Sequence, residues 1–199
     1  MSDRTAGSDR DGAVHESEGS DPVATRLFTL LVRRSSGVTD LVEALLGRAV
    51  QARRLSQDEI PRIRPPGLLR LRTTGPVLHR HVLLEDSLPP HLPVAAVWAL
   101  IVPWHLPEAV RAALLQGDEP LDRLLAAHGV PWTAEPVETE TRTVAEASNP
   151  FPWSEPAAPL VEHTRRVLDD IGTPIAMTID EVPFLEPRTD PKLPLLPRP

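Results

Sequence analysis

Nine residues, Val77 to Glu85, do most to limit what this chain can fold into. They read Val-Leu-His-Arg-His-Val-Leu-Leu-Glu behind a Gly75-Pro76 turn, a run too short for a stable helix and carrying β-branched residues. As a strand they send alternate side chains to opposite faces. Leu78, Arg80, Val82 and Leu84 share one face; Val77, His79, His81 and Leu83 share the other. The first face is apolar except for its arginine. An unpaired buried charge costs several kcal/mol, roughly, even after relaxation. Arg80 therefore needs an anion, from the protein or from a ligand.

Pro174 to Val182 carries a second charge of this kind. Alternation puts Ile175, Met177, Ile179 and Glu181 on the more apolar face, and Ala176, Thr178 and Asp180 on the other. A one-residue bulge would exchange the two acids, so Asp180 stands as the alternative to Glu181. Two readings of the pair are open. One is a structural ion pair, or a glutamate already at the rim of the sheet. The other is a polar ligand whose acid meets Arg80 and whose far end meets Glu181.

The 199 residues suffice for one domain with a sizeable core. A formal net charge of −7 argues against general affinity for nucleic acid or an anionic membrane. No cysteine is present, which removes disulfides and thiolate metal sites. No apolar run approaches the ~18 to 20 residues that span a bilayer, and no signal core appears, so a cytoplasmic protein is expected.

Along the chain, 1–22 is rich in Ser, Asp, Glu and Gly and reads as a disordered tail. A helix follows from Val23, with Leu27, Leu30 and Leu31 on one face. A second carries Leu41, Val42, Leu45 and Leu46, with Thr39 or Asp40 as cap and Gly47 as stop. Ala49 to Leu55 reads as an edge strand, and Ser56 to Gly67 as a loop. Leu68 to Arg72 fits a helical turn or an extended piece equally. Val94 to Val102 is apolar on both faces and suits a central strand. Helices are expected between Pro107 and Gly117 and from Pro120 to His128. Val137 to Val144 reads as a strand with one wet face, Ala145 to Pro159 as a long loop, and Leu160–Leu168 with Pro174–Val182 as a hairpin. The residues 187–199 form a proline-rich tail. The whole is an α+β single domain over 23–186, a mainly antiparallel sheet flanked by short helices.

Two helix starts, Ser36-Gly37-Val38-Thr39 and Glu119-Pro120-Leu121, offer free N–H groups to an anion. In order along the chain stand the first of these, the Leu78–Leu84 strand, an apolar strand ending Ile101-Val102-Pro103, the Pro120-Leu121 start, and a late Gly-x-Pro strand bearing an acid. Over Val23 to Leu185 this order resembles the chorismate pyruvate-lyase family, the 4-hydroxybenzoate synthases. Their antiparallel-sheet fold, UTRA-type, is shared with the effector-binding domains of certain transcription regulators.

The resemblance implies a lyase that converts chorismate to 4-hydroxybenzoate and pyruvate with neither metal nor organic cofactor. Arg80 and Glu181 would be its catalytic pair. Arg80 and the backbone N–H groups of Val38 and Leu121 would hold the substrate carboxylate, and Glu181, or Asp180 in its place, the hydroxyl. The alternative is a non-catalytic binder of aromatic carboxylates on the same fold. In either case the partner is a small molecule, and the oligomeric state is left open.

Three features depart from the family. Asp122 replaces the glycine usual after Pro-Leu, an arginine of the following strand has no clear counterpart near Pro131–Ala134, and Phe151 to Pro159 is an insertion. By helical period Asp122 lies about 100° around from Leu121, which predicts an outward side chain. Of the seven histidines, His79 and His81 read as a solvent-facing pair rather than a zinc site. The tryptophans read as core or rim packing, with one as a possible pocket wall.

Overall fold

Among the described residues six antiparallel strands make one sheet: β1 (Val50–Ile60), β2 (Val77–Asp86), β3 (Pro93–Ile101), β4 (Trp132–Thr143), β5 (Pro159–Asp169) and β6 (Pro174–Pro183), in the order β1-β2-β3-β6-β5-β4. Four α-helices among the same residues, α1 (Pro22–Arg34), α2 (Val38–Leu46), α3 (Glu108–Gln116) and α4 (Leu121–Ala127), complete the expected α+β architecture. The computed structural model describes residues 22–35, 37–61, 75–147 and 151–184. The expectations for the two tails and for Leu68 to Arg72 lie outside these residues.

The helices pack on one face of the sheet in two groups. Phe28 and Val32 of α1 and Val38, Val42 and Leu46 of α2 join Val82, Leu84, Val97, Val161 and Val182 in one apolar cluster. Val110 and Leu114 of α3 and Leu121, Leu124 and Leu125 of α4 join Leu78, Ala99, Ile101, Val167 and Ala176 in another. Spacings of three and four bring these side chains to one side of each helix. Burying one such leucine stabilises the fold by about 1.5 to 3 kcal/mol. Gly47 ends α2 at φ +67, a left-handed conformation that glycine adopts without a Cβ clash, and returns its N–H to the Glu43 carbonyl.

Several expectations are corrected here. Leu27, Leu30 and Leu31 do share a face of α1, but that face is exposed, Leu27 by 58%. Phe28 and Val32 turn inward instead, held by Phe184 at the end of β6 in an edge-on contact of 5.3 Å. β1 runs on through Ser56 to Ile60, where the polar sequence suggested a loop. A bulge between Arg54 and Ser56 keeps it paired with β2, and an edge strand can carry polar residues. β4 begins at Trp132 and passes through Pro136. Its place at the sheet edge and a bulge between Pro136 and Glu138 tolerate the missing N–H. α2 starts from Gly37 as its N-cap, ahead of Thr39 and Asp40.

The second face of the sheet is partly covered. Phe151, in the segment expected as a loop, buries itself there with Leu83, Ala96 and Leu160. Trp153 Nε1 donates to the Pro93 carbonyl and anchors that segment. His81 is buried rather than solvent-facing, stacked on Trp98 with ring centroids 3.6 Å apart.

Candidate functional site

Between the two apolar clusters lies a polar band. Register builds it, because residues paired across strands point to the same side. Arg80 pairs with Ala99, Ala99 with Thr178 and Thr178 with Arg165, so one row crosses β2, β3, β6 and β5. The next row runs Val82, Val97, Asp180, His163. The starts of α2 and α4 close over these rows. A cavity of about 20 Å³ remains, lined by Val38, Arg80, Leu121, Asp122, Arg165 and Asp180 among others. Trp132 forms part of its wall.

Arg80 is 1% exposed, and its hydrogen bonds among the described residues go to no carboxylate, although the charges of Asp118 and Glu119 lie near enough to act on it. Its Nη1 donates to Gln57 Oε1 and the Leu114 carbonyl, and its Nη2 to the carbonyls of Gly117 (3.1 Å) and Glu119 (2.7 Å). The Leu114 and Gly117 carbonyls mark the end of α3, where the helix dipole favours a cation, and the Glu119 carbonyl lies in the connection just before α4. Burial, with Arg54 nearby, lowers its pKa to about 10, which leaves it charged at neutral pH. Nε is left over, with no acceptor among the described residues.

Asp180, the alternative acid, is the one that reaches the cavity. It is 1% exposed, and its Oδ2 lies 2.6 Å from Arg165 Nη2. Its Oδ1 and the Thr178 hydroxyl have no hydrogen-bond partner among the described residues. Burial first, and the charge of Asp122 further, push the Asp180 carboxyl up to about 6, against the opposing pull of Arg165. The neighbouring His163 is held down to about 4 by burial and by Arg165. Its Nδ1 lies 2.8 Å from Thr139 Oγ1 and 3.1 Å from the Glu138 carbonyl.

Glu181 is corrected: it points to the opposite face of the sheet and does not share a cavity with Arg80. There it lines an open groove of about 340 Å³ with Trp98, Ile179 and Glu162. Both faces of β6 are covered, so the apolar character of the Ile175–Ile179 face did not mark the inner side. Asp122 is corrected as well. It lines the cavity, and its Oδ1 accepts from Thr39 Oγ1 (3.3 Å) and from the Arg123 N–H (2.9 Å). The side of α4 lying 100° from Leu121 faces α2, not solvent. Arg123 reinforces that contact through an ion pair with Glu43.

Arg165 and Thr178 were absent from the sequence-based site. The alternation that singled out Arg80 also applies to β5, where Val161, His163, Arg165 and Val167 share a face with one arginine among them. Among the described residues no group of three or more His, Asp or Glu side chains is arranged to hold a metal ion. No helix among them is long and apolar enough to cross a membrane.

The sheet order and the paired helices define the UTRA-type, chorismate lyase-like fold. PhnF from Mycobacterium smegmatis superposes with a TM-score of 0.55 at 13% identity, over 75% of this chain and 64% of that one. This chain thus spans just under two thirds of that longer protein. The effector domain of PhnF alone matches with a TM-score of 0.55 at 14% identity, over 74% of this chain and 88% of that one. The ligand-binding domain of a Bordetella bronchiseptica protein assigned to the GntR family of transcriptional regulators gives 0.50 at 18% identity, over 67% and 82% of the two chains. No protein-family model and no curated protein matches the chain. These likenesses correct the expectation of a chorismate pyruvate-lyase: the chains that superpose include an effector domain and the ligand-binding domain of a regulator, and what they share with this chain is the fold. The cavity agrees with the correction. The Nη donors of Arg80 are spent on helix carbonyls, and Asp122 lies where a substrate carboxylate was expected.

Proposed function

We propose that this chain is a non-catalytic domain that binds a small molecule in the cavity between the two helix groups, as an effector domain does. One observation carries the reading: residues that line the cavity include three almost fully buried side chains with a polar atom that has no hydrogen-bond partner among the described residues. The atoms are Arg80 Nε, Thr178 Oγ1 and Asp180 Oδ1. Buried polar groups are ordinarily hydrogen-bonded, and leaving one unsatisfied costs about 1 to 3 kcal/mol. A ligand that meets all three recovers that cost. Val38 and Leu121 belong to the same site as elements of its roof, and a cytoplasmic setting is part of this reading.

At about 20 Å³ the closed cavity has room for one water. A larger ligand enters by parting the α1–α2 pair from the α3–α4 pair. Each pair keeps its own apolar cluster on the sheet. The ties across the seam are polar, Thr39 to Asp122 and Arg123 to Glu43. Opening therefore separates polar contacts that water can replace, and a bound molecule would shift the balance between the two arrangements.

The test is a thermal-shift screen of the full chain with small hydroxylated, amino and carboxylated compounds, followed by calorimetry on any that stabilise it. Thr178→Val and Asp180→Asn should each weaken binding at least tenfold while circular dichroism stays unchanged. Binding that is indifferent to both substitutions would remove the cavity as the site.

A further inference from the structure

The cavity already contains an anion of its own. Asp122 stands in the first turn of α4 and leans against the start of α2. Its Oδ1 takes the Arg123 N–H at 2.9 Å and the Thr39 hydroxyl at 3.3 Å. Its Oδ2 comes so near Gly37 that a Cβ there would stand only 2.7 Å away. The nine-residue α2 thus presents the positive end of its dipole to a carboxylate that the protein supplies.

Among the described residues that line the cavity, two cations stand against two anions. Arg80 and Arg165 are the cations, and Asp122 and Asp180 the anions. In a site this far from water an added carboxylate or phosphate would face Asp122 and Asp180 at low dielectric, while the four Nη hydrogen bonds of Arg80 are directed at Gln57 and at backbone carbonyls. Among the described residues, the atoms without a hydrogen-bond partner include a donor, Arg80 Nε, an acceptor, Asp180 Oδ1, and the hydroxyl of Thr178, which can do either. A hydroxyl group both donates and accepts, and it matches that set without adding charge.

Building on the ligand-binding reading above, we propose that Asp122 sets the selectivity of the cavity: by occupying the anion position at the start of α2 it excludes carboxylates and phosphates and leaves a site for an uncharged, hydroxyl-bearing molecule. Asp122→Asn keeps the shape of the side chain and an oxygen for the Arg123 N–H, and removes the charge. Asp118→Asn removes a half-exposed charge that pairs with Arg54 at 3.5 Å and also acts on Arg80, and serves as the control for a general loss of negative charge before α4.

The experiment measures inorganic phosphate, 4-hydroxybenzoate and its uncharged counterpart 4-hydroxybenzyl alcohol by calorimetry at low salt on the full chain and both variants. Phosphate or 4-hydroxybenzoate should bind Asp122→Asn at least tenfold more tightly than wild type or Asp118→Asn, a gain that exceeds any change for the alcohol. Equal anion affinity for wild type and Asp122→Asn, absence of binding to both included, overturns the proposal, as does an equal gain in Asp118→Asn. If Asp122→Asn fails to fold, Asp122→Gly takes its place under the same criteria. Failure of the ligand-binding reading looks different. There, no neutral compound of the screen stabilises wild type, or Thr178→Val and Asp180→Asn leave neutral binding untouched, whatever the anions do.

Discussion

Asp122 and Gly37, on two different helices, touch so closely that a methyl group at Gly37 would come within 2.7 Å of Asp122 Oδ2. Gly37 has φ −140 and ψ 143, extended backbone open to any residue, so its lack of a side chain serves the contact and not the conformation. Gly37→Ala must push the carboxylate away from Thr39. In wild type we expect a loss of about 1 to 2 kcal/mol, part of it the poorer N-cap that alanine makes. In an Asp122→Gly background the steric part disappears and only the cap effect remains. A double-mutant cycle by urea denaturation should give a coupling of at least ~0.5 kcal/mol. Strict additivity would show that the two residues do not meet.

Arg80 binds the end of α3 to the sheet. Arg80→Met fills much of the same space but leaves the carbonyls of Leu114, Gly117 and Glu119 without their donor. The expected loss of stability is about 3 kcal/mol, since each unsatisfied buried group costs ~1 to 3 kcal/mol and two of these sites are only part-buried. Hydrogen exchange should locate the damage in α3 and the following loop, while β1 through β3 stay protected. A variant with wild-type stability would mean that the carbonyls are solvated and that Arg80 has no capping role.

How far the sequence led depended on how the strands are covered. β2 and β3 were legible because alternation and an unbroken apolar run are strong local signals, and Gly47 and Gly117 marked helix ends by backbone chemistry alone. Choosing between Asp180 and Glu181 needed the pairing of β6 with β3, a fact held in distant residues. With Ile175 and Met177 buried on one side and Ala176 and Thr178 on the other, either acid could have been the inner one. Asp122 was misplaced for a related reason. Helical period tells how far a residue lies from Leu121, but only the neighbouring α2 decides whether that direction is solvent. The inner anion for Arg80 was sought as a carboxylate, because carbonyls at a helix end are not written in side-chain sequence.

His163 supplies an acid-sensitive contribution. Its folded pKa, about 4, lies below the ordinary 6.5, so the buried ring is neutral and the unfolded chain takes up a proton first as pH falls. Stability from this group is complete above pH 6.5 and is lost as pH drops through 4, to roughly 3 kcal/mol in total. His163→Gln should lack that share of the acid loss between pH 6.5 and 4, measured by urea denaturation at several pH values. Nitrogen chemical shifts offer a direct check: the His163 ring should remain neutral at pH 5.5. A ring already protonated there would contradict the assignment.

Asp180 works in the opposite direction. Its carboxyl is pushed from 3.8 to about 6, chiefly by burial and further by the charge of Asp122, with Arg165 drawing it back. Because the folded pKa is the higher one, the folded state holds the proton longer than the unfolded chain does. The contribution of this group is therefore fully present below pH 3.8 and declines as pH rises through 6, by on the order of 2 to 3 kcal/mol. Asp180→Asn removes the titration and keeps the size. Its stability relative to wild type should improve from pH 4 to pH 7, superimposed on a constant cost for replacing a carboxylate oxygen beside Arg165 with an amide. The curve for wild type combines this term with the opposing one from His163, so only the difference between Asp180→Asn and wild type isolates it. A difference that stays flat across that range would mean that Asp180 ionises at its ordinary pKa, and that the cavity is far wetter than its residue burial indicates.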